Sequence, residues 1–520
     1  MKFCNDVYMR TLLKLVPLMV LVFSFNSIGQ SNKWYISPLG FGNQSGTSRS
    51  NAKIFTDVNS LNIQPGDTVY VMEGIYTNKF YFRKSGTPSA LITIMPDPQN
   101  IGEAIFSNPY GVAIDIRGES YLRLYKLKIR NSVGGIEVGQ GKGKYFDSLH
   151  ISKLAGAGIN IYGNNGGGYN PNYNPGIDSN VDSVFIRWCY IATDSQVNVQ
   201  TDVISMYWVH GVRIIGNFLY QGNYTGNGHN DCIQKGHGIG DIFVANNMLI
   251  NLKETSSQIM MGANSWQGYK TVFYNNIAIH YGAGTGTWFQ NAYNGFNPDG
   301  NYAVDGETFI INNTLIGRRV PCLSQTNDYP KNSENYLDSS YIVNNIFYMK
   351  NSDGTRPLAI PRGANDSINA MYVENNIHAI DGGVTSNHIE EVHGPYFVGS
   401  WSLSDWNSLS SMVMDSSIFG IPTFRNLMYN SALYYQEDLR LTSGSIGIDA
   451  GRTNIKIKGN QWINLKTLIE SFGLQWESFN NPYVSWATGG ARSEVTPEIG
   501  AVEYVDNQVQ QDNDPPSVIS

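Results

Sequence analysis

This 520-residue sequence contains few charged residues and few cysteines, and each shortage excludes a class of protein. Asp, Glu, Lys and Arg account for 15% of the chain, which does not fit a coiled coil or a disordered protein. The four Cys residues show no CxxC spacing, so no cysteine metal site is indicated. The formal net charge of −7 argues against nucleic acid as a partner. The chain has instead 54 Gly and 12% aromatic residues, which favours an all-β, turn-rich extracellular protein.

The N-terminus has the pattern of an export signal. Three basic residues precede the apolar run 15–23, and Ser27 and Gly29 are small residues at the positions that precede a cleavage site. The run is too short for a helix that spans a membrane. We therefore predict that 1–29 is a signal peptide and that the mature chain begins at Gln30. The protein should be secreted or lie at the cell surface, without a transmembrane segment.

Asn-Asn pairs recur five times in the middle of the chain, each inside the same short frame of apolar residues. The second Asn of each pair, with a single Asn in a sixth frame, gives successive steps of 30, 29, 37, 32 and 31 residues. These residues are Asn217, Asn247, Asn276, Asn313, Asn345 and Asn376. A near-fixed period of this size is typical of a solenoid, in which each repeat packs on its neighbours.

Within one repeat, apolar residues alternate with other residues, stop at the Asn pair and then alternate again. Alternation with a period of two is typical of a strand with one buried face, and the β-branched and aromatic residues favour strands. Asn tolerates the left-handed backbone of a tight turn, and stacked Asn side chains can hydrogen-bond to each other. We therefore predict an all-β fold, a right-handed parallel β-helix, which is a solenoid with an asparagine ladder. The right-handedness is expected because parallel crossover connections are right-handed in general.

Three cysteines remain after removal of the signal peptide, namely Cys189, Cys232 and Cys322. The number is odd, and Cys189 falls at the ladder position of its own repeat. We predict that these cysteines are buried free thiols.

Short motifs at the two ends of the predicted solenoid indicate a family. Residues 34–40 (WYISPLG) come before a Pro-Gly-Asp turn at 65–67, and the motifs 446–451 (IGIDAG) and 497–504 (PEIGAVEY) lie near the C-terminus. This set resembles the secreted right-handed parallel β-helix proteins of bacteria. Many of those proteins are polysaccharide lyases or related carbohydrate-active enzymes.

The resemblance also suggests domain boundaries. It covers about residues 34–505, although Glu498 stands where Asp is usual and Ile446-Gly447 where Pro-Ala is usual. We predict a β-helix domain over 30–505 and a polar tail or truncated linker over 506–520.

Ionisable side chains gather on neighbouring repeats between residues 200 and 261. Aligned on the Asn column, Asp202 and Asp231 lie at the entrance to equivalent strands, with Ile204 and Ile233 pointing inward. A structural role is the alternative, because Asp before a tight turn often caps backbone amides, and the nearby His and Lys residues could be ordinary loop residues. We predict catalytic roles for Asp202, His229, Asp231, Lys235, His237 and Lys253, and substrate binding by Gln234, Gln258, Tyr207 and Trp266.

The lyase-rich family favours cleavage of a uronate-containing polymer by β-elimination. This reaction needs a base and a positive group or Ca²⁺ that neutralises the uronate carboxylate. Lys235, Lys253, His229 or His237 could supply the base and the charge. The acidic row could instead hold Ca²⁺, whose preferred ligands are carboxylate and carbonyl oxygens. We expect a polysaccharide lyase that is a monomer, with Ca²⁺ as the candidate cofactor.

Two other functions stay open from the sequence. Asp202 and Asp231 could be the acid and base of a glycoside hydrolase, and the segments 231–233 and 236–238 resemble parts of polygalacturonase-like hydrolases. A non-catalytic glycan-binding or adhesive surface protein would also use the many aromatic residues, because such rings stack on sugar faces. A cleft around the ionisable cluster would favour an enzyme, and a flat face would favour binding alone.

Overall fold

The structure is a computed structural model that describes the chain as a series of segments. The described residues are 31–163, 180–193, 202–222, 230–236, 240–252, 259–261, 269–281, 289–292, 307–317, 323–326, 340–350, 358–361, 371–381, 389–393, 396–401, 413–415, 417–457, 461–487, 489–490, 492–495 and 497–502. Within these segments, no helix is long and apolar enough to cross a membrane.

Three long sheets enclose a common core. The first sheet has 14 strands, and the second and third have 12 strands each. From Thr68–Val71 to Ile389–His393, each coil contributes one strand to each sheet, and equivalent strands of successive coils pair in parallel, as Val212 does with Ile242. The last strand of the third sheet, Tyr396–Trp401, pairs antiparallel with Ile389–His393. This arrangement confirms the predicted all-β parallel β-helix.

The strands of each sheet follow one another along the solenoid in chain order, except that Lys53–Ile54 lies at the edge of the first sheet, outside Lys33–Ser37. The first sheet contains Lys33–Ser37, Lys53–Ile54, Thr68–Val71, Ile92–Pro96, Leu122–Tyr125, Gly141–Asp147, Val181–Arg187, His210–Ile215, Ile242–Ala245, Lys270–Tyr274, Glu307–Ile311, Ser340–Val343, Met371–Glu374 and Val413–Asp415. The second contains Gly74–Tyr76, Ala104–Phe106, Lys128–Ser132, His150–Leu154, Tyr190–Thr193, Phe218–Gln221, Met248–Asn251, Ile277–His280, Thr314–Gly317, Ile346–Lys350, Ile377–Asp381 and Ile418–Phe419. The third contains Phe80–Tyr81, Val112–Asp115, Gly134–Val138, Ile159–Tyr162, Ile204–Tyr207, Ile233–Lys235, Ile259–Met261, Phe289–Ala292, Leu323–Thr326, Leu358–Pro361, Ile389–His393 and Tyr396–Trp401.

Apolar side chains from alternate positions of the strands fill the interior. One continuous column runs along the first sheet, and its members are Ile186, Ile214, Val244, Phe273, Ile310 and Ile342. Residues of the same type repeat at the same place in successive coils, so each coil completes the burial of the coil before it.

The second Asn of each pair forms the predicted ladder. From Asn247 to Asn376, each side-chain oxygen accepts hydrogen bonds from both the backbone N–H and the side-chain amide of the Asn one coil earlier, at 2.9–3.0 Å. Asn217 accepts from the backbone N–H of Cys189, which confirms that this cysteine occupies the ladder position. The predicted single column of six asparagines is therefore confirmed.

The first Asn of each pair has a different task. Asn246, Asn275, Asn312, Asn344 and Asn375 have φ between 55° and 59°, in the left-handed region that Asn adopts more readily than most residues. This conformation makes the two-residue turn between the first and second sheets in each coil.

The C-terminal segment, residues 424–502, folds back along the outside of the solenoid. It contains the antiparallel strand pairs Phe424–Asn426 with Asp438–Leu441 and Asn454–Ile457 with Gln461–Asn464, and the helix Leu465–Ser471. Short 3-10 helices lie at Ser431–Gln436 in this segment and at Arg49–Asn51 and Phe55–Ser60 near the N-terminus. The segment departs from the predicted β-helix over 30–505, because the described parallel strands end at Ile418–Phe419.

Apolar and polar contacts hold this C-terminal segment in place. Phe472 and Trp476 pack on the outer face of the first sheet, and Phe479 packs on that of the second. Arg492 is fully buried, and its guanidinium donates to the side-chain oxygen of Asn275 at 2.9 Å and to the carbonyl of Ala501 at 2.7 Å. The outer faces of these two sheets are thus covered over the central coils.

The described cysteines are buried thiols, as predicted. Cys189 and Cys232 are free and buried. Burial raises the pKa of the Cys189 thiol to about 12 and that of Cys232 well above its ordinary value. Cys322 lies outside the described residues, as does the predicted signal peptide 1–29.

Candidate active site on the third sheet

Half of the predicted site residues lie in described segments, around two neighbouring strands of the third sheet. These residues are Asp202, Tyr207, Asp231, Gln234 and Lys235. The others, His229, His237, Lys253, Gln258 and Trp266, lie outside the described residues, and their roles stay predictions.

Asp202 and Asp231 lie one coil apart, where the chain enters the strands Ile204–Tyr207 and Ile233–Lys235. The backbone N–H of Asp231 donates to Oδ1 of Asp202 at 3.0 Å, and both residues are buried. The stacking predicted from the Asn column is therefore present. The contact also fits the structural alternative in part, because the Asp202 side chain caps a backbone amide of the next coil.

Burial is the main influence on the acidity of Asp202. Removal from water disfavours the carboxylate and raises the pKa of Asp202 to about 7, against the weaker opposing effect of the hydrogen bond from Asp231. Burial, with the nearby Asp202 carboxyl, also raises the pKa of Tyr207 to about 12. A carboxyl group whose pKa is raised in this way is suited to proton transfer as a general acid or base.

The side chains that follow this acid pair alternate between the core and the outer face. Ile204 and Ile233 point inward and are buried, whereas Ser205 and Gln234 pair on the outer face. Ser205 Oγ donates to Oδ1 of Asn160 on the previous coil, at 2.7 Å. A polar row thus runs along the solenoid beside the acid pair.

Lys235 lies on the other side of its strand. It pairs with Met206, is 1% exposed, and its Nζ donates to Oγ1 of Thr271 at 3.0 Å. The alternation that places Ile233 inward places Lys235, two residues later, inward as well. This placement corrects the expectation that the Lys235 side chain lies on the active face, and it does not favour a direct catalytic role.

Two tyrosines form an aromatic surface on the outer face. The rings of Tyr162 and Tyr207 stack one coil apart, with centroids 5.2 Å apart and planes within 4°. Gly236 gives the room for this, because a Cβ at that position would lie 1.9 Å from carbons of the Tyr207 ring. Tyr162 is 49% exposed, so the stack offers an aromatic surface to a sugar ring. Tyr207 was predicted from the sequence as a substrate-binding residue, whereas Tyr162 was not.

A basic cluster lies on the same face nearer the N-terminus. Arg117 and Arg83 donate to the buried Asp115 at 2.6 and 2.9 Å, and Lys79 Nζ lies 3.6 Å from Oε2 of Glu137. Burial would raise the pKa of Asp115, but the two arginines outweigh it and lower that pKa to about 2. Three cations face two carboxylates, and the Arg117 side chain is 53% exposed, so a guanidinium is accessible to an anion.

The sheet register joins this basic cluster to the acid pair. Asp115 pairs with Glu137, Glu137 with Asn160, and Asn160 with Ser205. Neighbouring strands are ~4.8 Å apart, so Asp115 and Ser205 lie about 14 Å apart along the solenoid. The cluster was not predicted from the sequence, because its residues come from separate coils that precede the Asn column and share no motif.

The acid pair was also the candidate for a Ca²⁺ site. Ca²⁺ takes about six to eight oxygen ligands. The described segments contain no group of three or more His, Cys, Asp or Glu residues that could hold a metal ion, and Asp202 and Asp231 supply two carboxyl groups. Ca²⁺ therefore stays a prediction.

Comparison with known proteins finds similarity of structure but not of sequence. No protein-family model and no curated protein matches the sequence. The structure is similar to pectate lyase Pel9A, with 13% identity, a TM-score of 0.41, and 92% of this chain and 98% of that chain covered. A rhamnogalacturonan lyase is similar with 13% identity, a TM-score of 0.43, and 86% and 99% covered. The GH136 lacto-N-biosidase from Eubacterium ramulus has 12% identity, a TM-score of 0.38, and 67% and 68% covered.

Proposed function

We propose that this protein is an extracellular polysaccharide lyase that binds an acidic polysaccharide along the outer face of the third sheet and cleaves it by β-elimination. One observation carries the proposal. The stacked and buried carboxyl groups of Asp202 and Asp231, where burial raises the pKa of Asp202, lie on the same run of coils as an accessible basic cluster around Arg117. The first feature supports proton transfer, and the second supports recognition of an anionic polymer.

Recognition of the polymer follows from the order of side chains along the solenoid. The basic cluster, the stacked Tyr162 and Tyr207, and the polar row of Ser205 and Gln234 succeed one another on the outer face. Stacked coils make a long surface that suits an extended chain. Arg117 would bind a uronate carboxylate several sugars away from the acid pair, and the tyrosines would pack against the sugar rings between them.

The chemistry assigned to the acid pair is removal of a proton next to a uronate carboxylate. In β-elimination the base takes the C5 proton, the C–H electrons form a double bond between C5 and C4, and the C4–O bond breaks. The leaving oxygen takes a proton from solvent water. The ionised form of Asp202 would be the base, so the rate should rise as the pH rises through about 7. His229 and His237, predicted from the sequence, would stabilise the developing negative charge.

Hydrolysis is the second candidate, because the same pKa also suits a general acid. Protonated Asp202 would donate a proton to the glycosidic oxygen, and Asp231 would activate water. In that reaction the rate should fall as the pH rises through about 7, since the protonated form of Asp202 is required. The direction of this limb of the pH profile separates the two reactions.

The experiment uses the full mature chain with polygalacturonate, alginate and a neutral β-glucan. Ultraviolet absorbance of the unsaturated product and new reducing ends are followed together from pH 5 to 9. Elimination produces both signals, whereas hydrolysis produces reducing ends alone. Asp202→Asn and Asp231→Asn should each lower turnover ~100-fold, the usual effect of losing a general acid or base. Asp182→Asn, a change on the first sheet, is the matched control and should retain turnover.

Two results would count against the proposal. Full activity of both acid-pair variants would place the chemistry elsewhere on the solenoid. Binding of a glycan without cleavage of any polymer would favour the adhesive, non-catalytic function.

A further inference from the structure

A second group of aromatic and basic side chains lies away from the third sheet, on the outer face of the first sheet. Arg213 marks where the C-terminal segment stops covering that sheet, because its Nη1 donates to the carbonyl of Phe472 at 2.9 Å and its guanidinium lies over the Phe243 ring. Six aromatic and basic residues that point outward on the three coils before Arg213 are half-buried or exposed. We name them the aromatic-basic patch, and they are Arg123, Tyr125, Tyr145, Phe185, Arg187 and Trp188.

Asp147 fixes the two arginines of this patch. Arg187 donates to both carboxylate oxygens of Asp147, at 2.7 and 3.0 Å, and Arg123 Nε donates to Oδ2 at 2.7 Å. Asp147 itself is fully buried. A guanidinium has five N–H donors in a rigid plane, so each arginine is held in position and retains donors for another anion.

Trp188 occupies a turn position with a left-handed backbone. It lies in the turn where later coils have the first Asn, with φ of 53°. Lys126 and Ser148 hold the same left-handed conformation at the equivalent turns of the two preceding coils, so the turn accepts a range of side chains. The Trp188 side chain is directed to the surface, where the residue is 44% exposed.

The next coil is adapted to this indole. Gly216 replaces the first Asn in the one frame that has a single Asn. A Cβ at Gly216 would lie 2.8 Å from Cδ1 of Trp188, so the indole lies across this glycine. The guanidinium of Arg187 lies 5.3 Å from the indole ring centre. An exposed flat ring beside a fixed guanidinium is therefore built into the first sheet.

We propose that Trp188, Arg187 and Arg123 form a second binding site that takes an acidic oligosaccharide. The indole face would pack on a sugar ring, and the arginines would bind its carboxylate. Arg123, Lys126 and Arg187 outnumber Asp147 here, in a chain whose net charge is −7, which gives local complementarity to an anionic glycan. This site does not depend on the cleavage proposed for the third sheet. Holding the same polymer at two surfaces would increase its effective concentration at the protein.

Calorimetric titration of the mature chain with tetragalacturonate and with an alginate tetramer tests this second site. Trp188→Asn removes the indole and installs the residue that five other coils have at this turn, so the fold should be retained. We expect the parent to show two binding events and the variant to show one. Where the two events are not resolved, the affinity of the variant should be at least tenfold lower. Arg187→Lys, which keeps the charge but not the planar fork, should weaken binding severalfold. Trp462→Asn, at a tryptophan 63% exposed on a hairpin of the C-terminal segment, is the matched control and should bind as the parent does.

Three outcomes would overturn the second site. The first is unchanged affinity and stoichiometry in Trp188→Asn, and the second is an equal loss of affinity in Trp188→Asn and Trp462→Asn. The third is binding of polyglutamate as tight as that of the uronate tetramers, since polyglutamate has charge but no sugar ring. Cleavage rates on a short substrate are measured in parallel. Loss of binding in Trp188→Asn with unchanged cleavage separates this site from the one on the third sheet.

Discussion

Asn313 lies inside the asparagine ladder, and Asn313→Ala tests how much each rung stabilises the solenoid. Its side-chain oxygen accepts two hydrogen bonds from Asn276, at 2.9 and 3.0 Å. Its side-chain amide donates to the carbonyl of Phe273 and to Oδ1 of Asn345, both at 3.0 Å, and also contacts the carbonyl of Ile311 at 3.1 Å. Alanine would remove all of these contacts at once.

The expected loss of stability exceeds that of a single hydrogen bond. One net hydrogen bond is worth about 1 kcal/mol, and a buried group without its partner costs about 1–3 kcal/mol more. In the variant, the backbone N–H of Asn276 and the side-chain oxygen of Asn345 would each lose a partner inside the protein. We therefore expect Asn313→Ala to lower the free energy of unfolding by roughly 3–5 kcal/mol.

Hydrogen exchange is the informative assay, because coils of a solenoid open locally. Amide exchange should accelerate on the strands on either side of residue 313 and stay unchanged on the N-terminal coils over 33–138. The melting temperature of the whole chain should also fall. Asn454→Ala, at an exposed Asn whose amide donates to the Thr453 hydroxyl, is the control and should change stability by less than ~0.5 kcal/mol. Equal effects of the two changes would refute the ladder as a source of stability.

Three further predictions concern buried side chains. Asp202→Asn should raise the melting temperature more at pH 8 than at pH 4. The pKa of Asp202 in the folded state, about 7, lies above its ordinary value of 3.8. The free energy of unfolding of the wild type therefore falls as the pH rises from 3.8 to about 7, by at most ~1.4 kcal/mol per unit of the pKa difference, and the Asn variant avoids this loss. Lys235→Met should retain turnover, whereas Lys235→Ala should lower the free energy of unfolding by roughly 2–4 kcal/mol, because it opens a cavity. A large loss of turnover in a well-folded Lys235→Met variant would restore the catalytic role of Lys235. Cys189 and Cys232 should react with a thiol reagent only on unfolding, and rapid labelling of native protein would contradict their burial.

The solenoid could be predicted from the sequence because the same interactions recur in every coil. Each ladder Asn satisfies the same turn in every coil, so the period of Asn217 to Asn376 reports the fold directly. The position of the C-terminal segment could not be predicted in this way. Segments such as 438–451 alternate like coil strands, and only their partners reveal that Asp438–Leu441 pairs antiparallel outside the solenoid.

The candidate site was predictable in part, for a related reason. Register on the Asn column placed Asp202 beside Asp231, as found. The same alternation rule, applied one step further, would have placed Lys235 inside. The basic cluster around Arg117 was not predictable, because its members meet only when several coils stack.

The C-terminal segment explains why Asn occupies the first position of the turn on the coils from Asn246 to Asn375. Each first Asn from Asn246 to Asn375 donates through its side-chain amide to an acceptor in residues 450–500, for example Asn275 to the Glu477 carbonyl at 3.1 Å and Asn375 to the Ala450 carbonyl at 2.6 Å. The left-handed turn alone does not require Asn, since Lys126, Ser148, Trp188 and Gly216 hold it on earlier coils.

The change from Asn to other residues at this turn therefore marks the boundary of the covered surface. Tyr483 still reaches this boundary, where its hydroxyl donates to the Trp188 carbonyl at 2.6 Å. On the covered side, the turn residue also binds the C-terminal segment. On the other side, this constraint is absent, and an exposed indole at Trp188 takes the place of a buried amide. The same column of the solenoid thus serves folding in one half of the molecule and, in our proposal, glycan binding in the other.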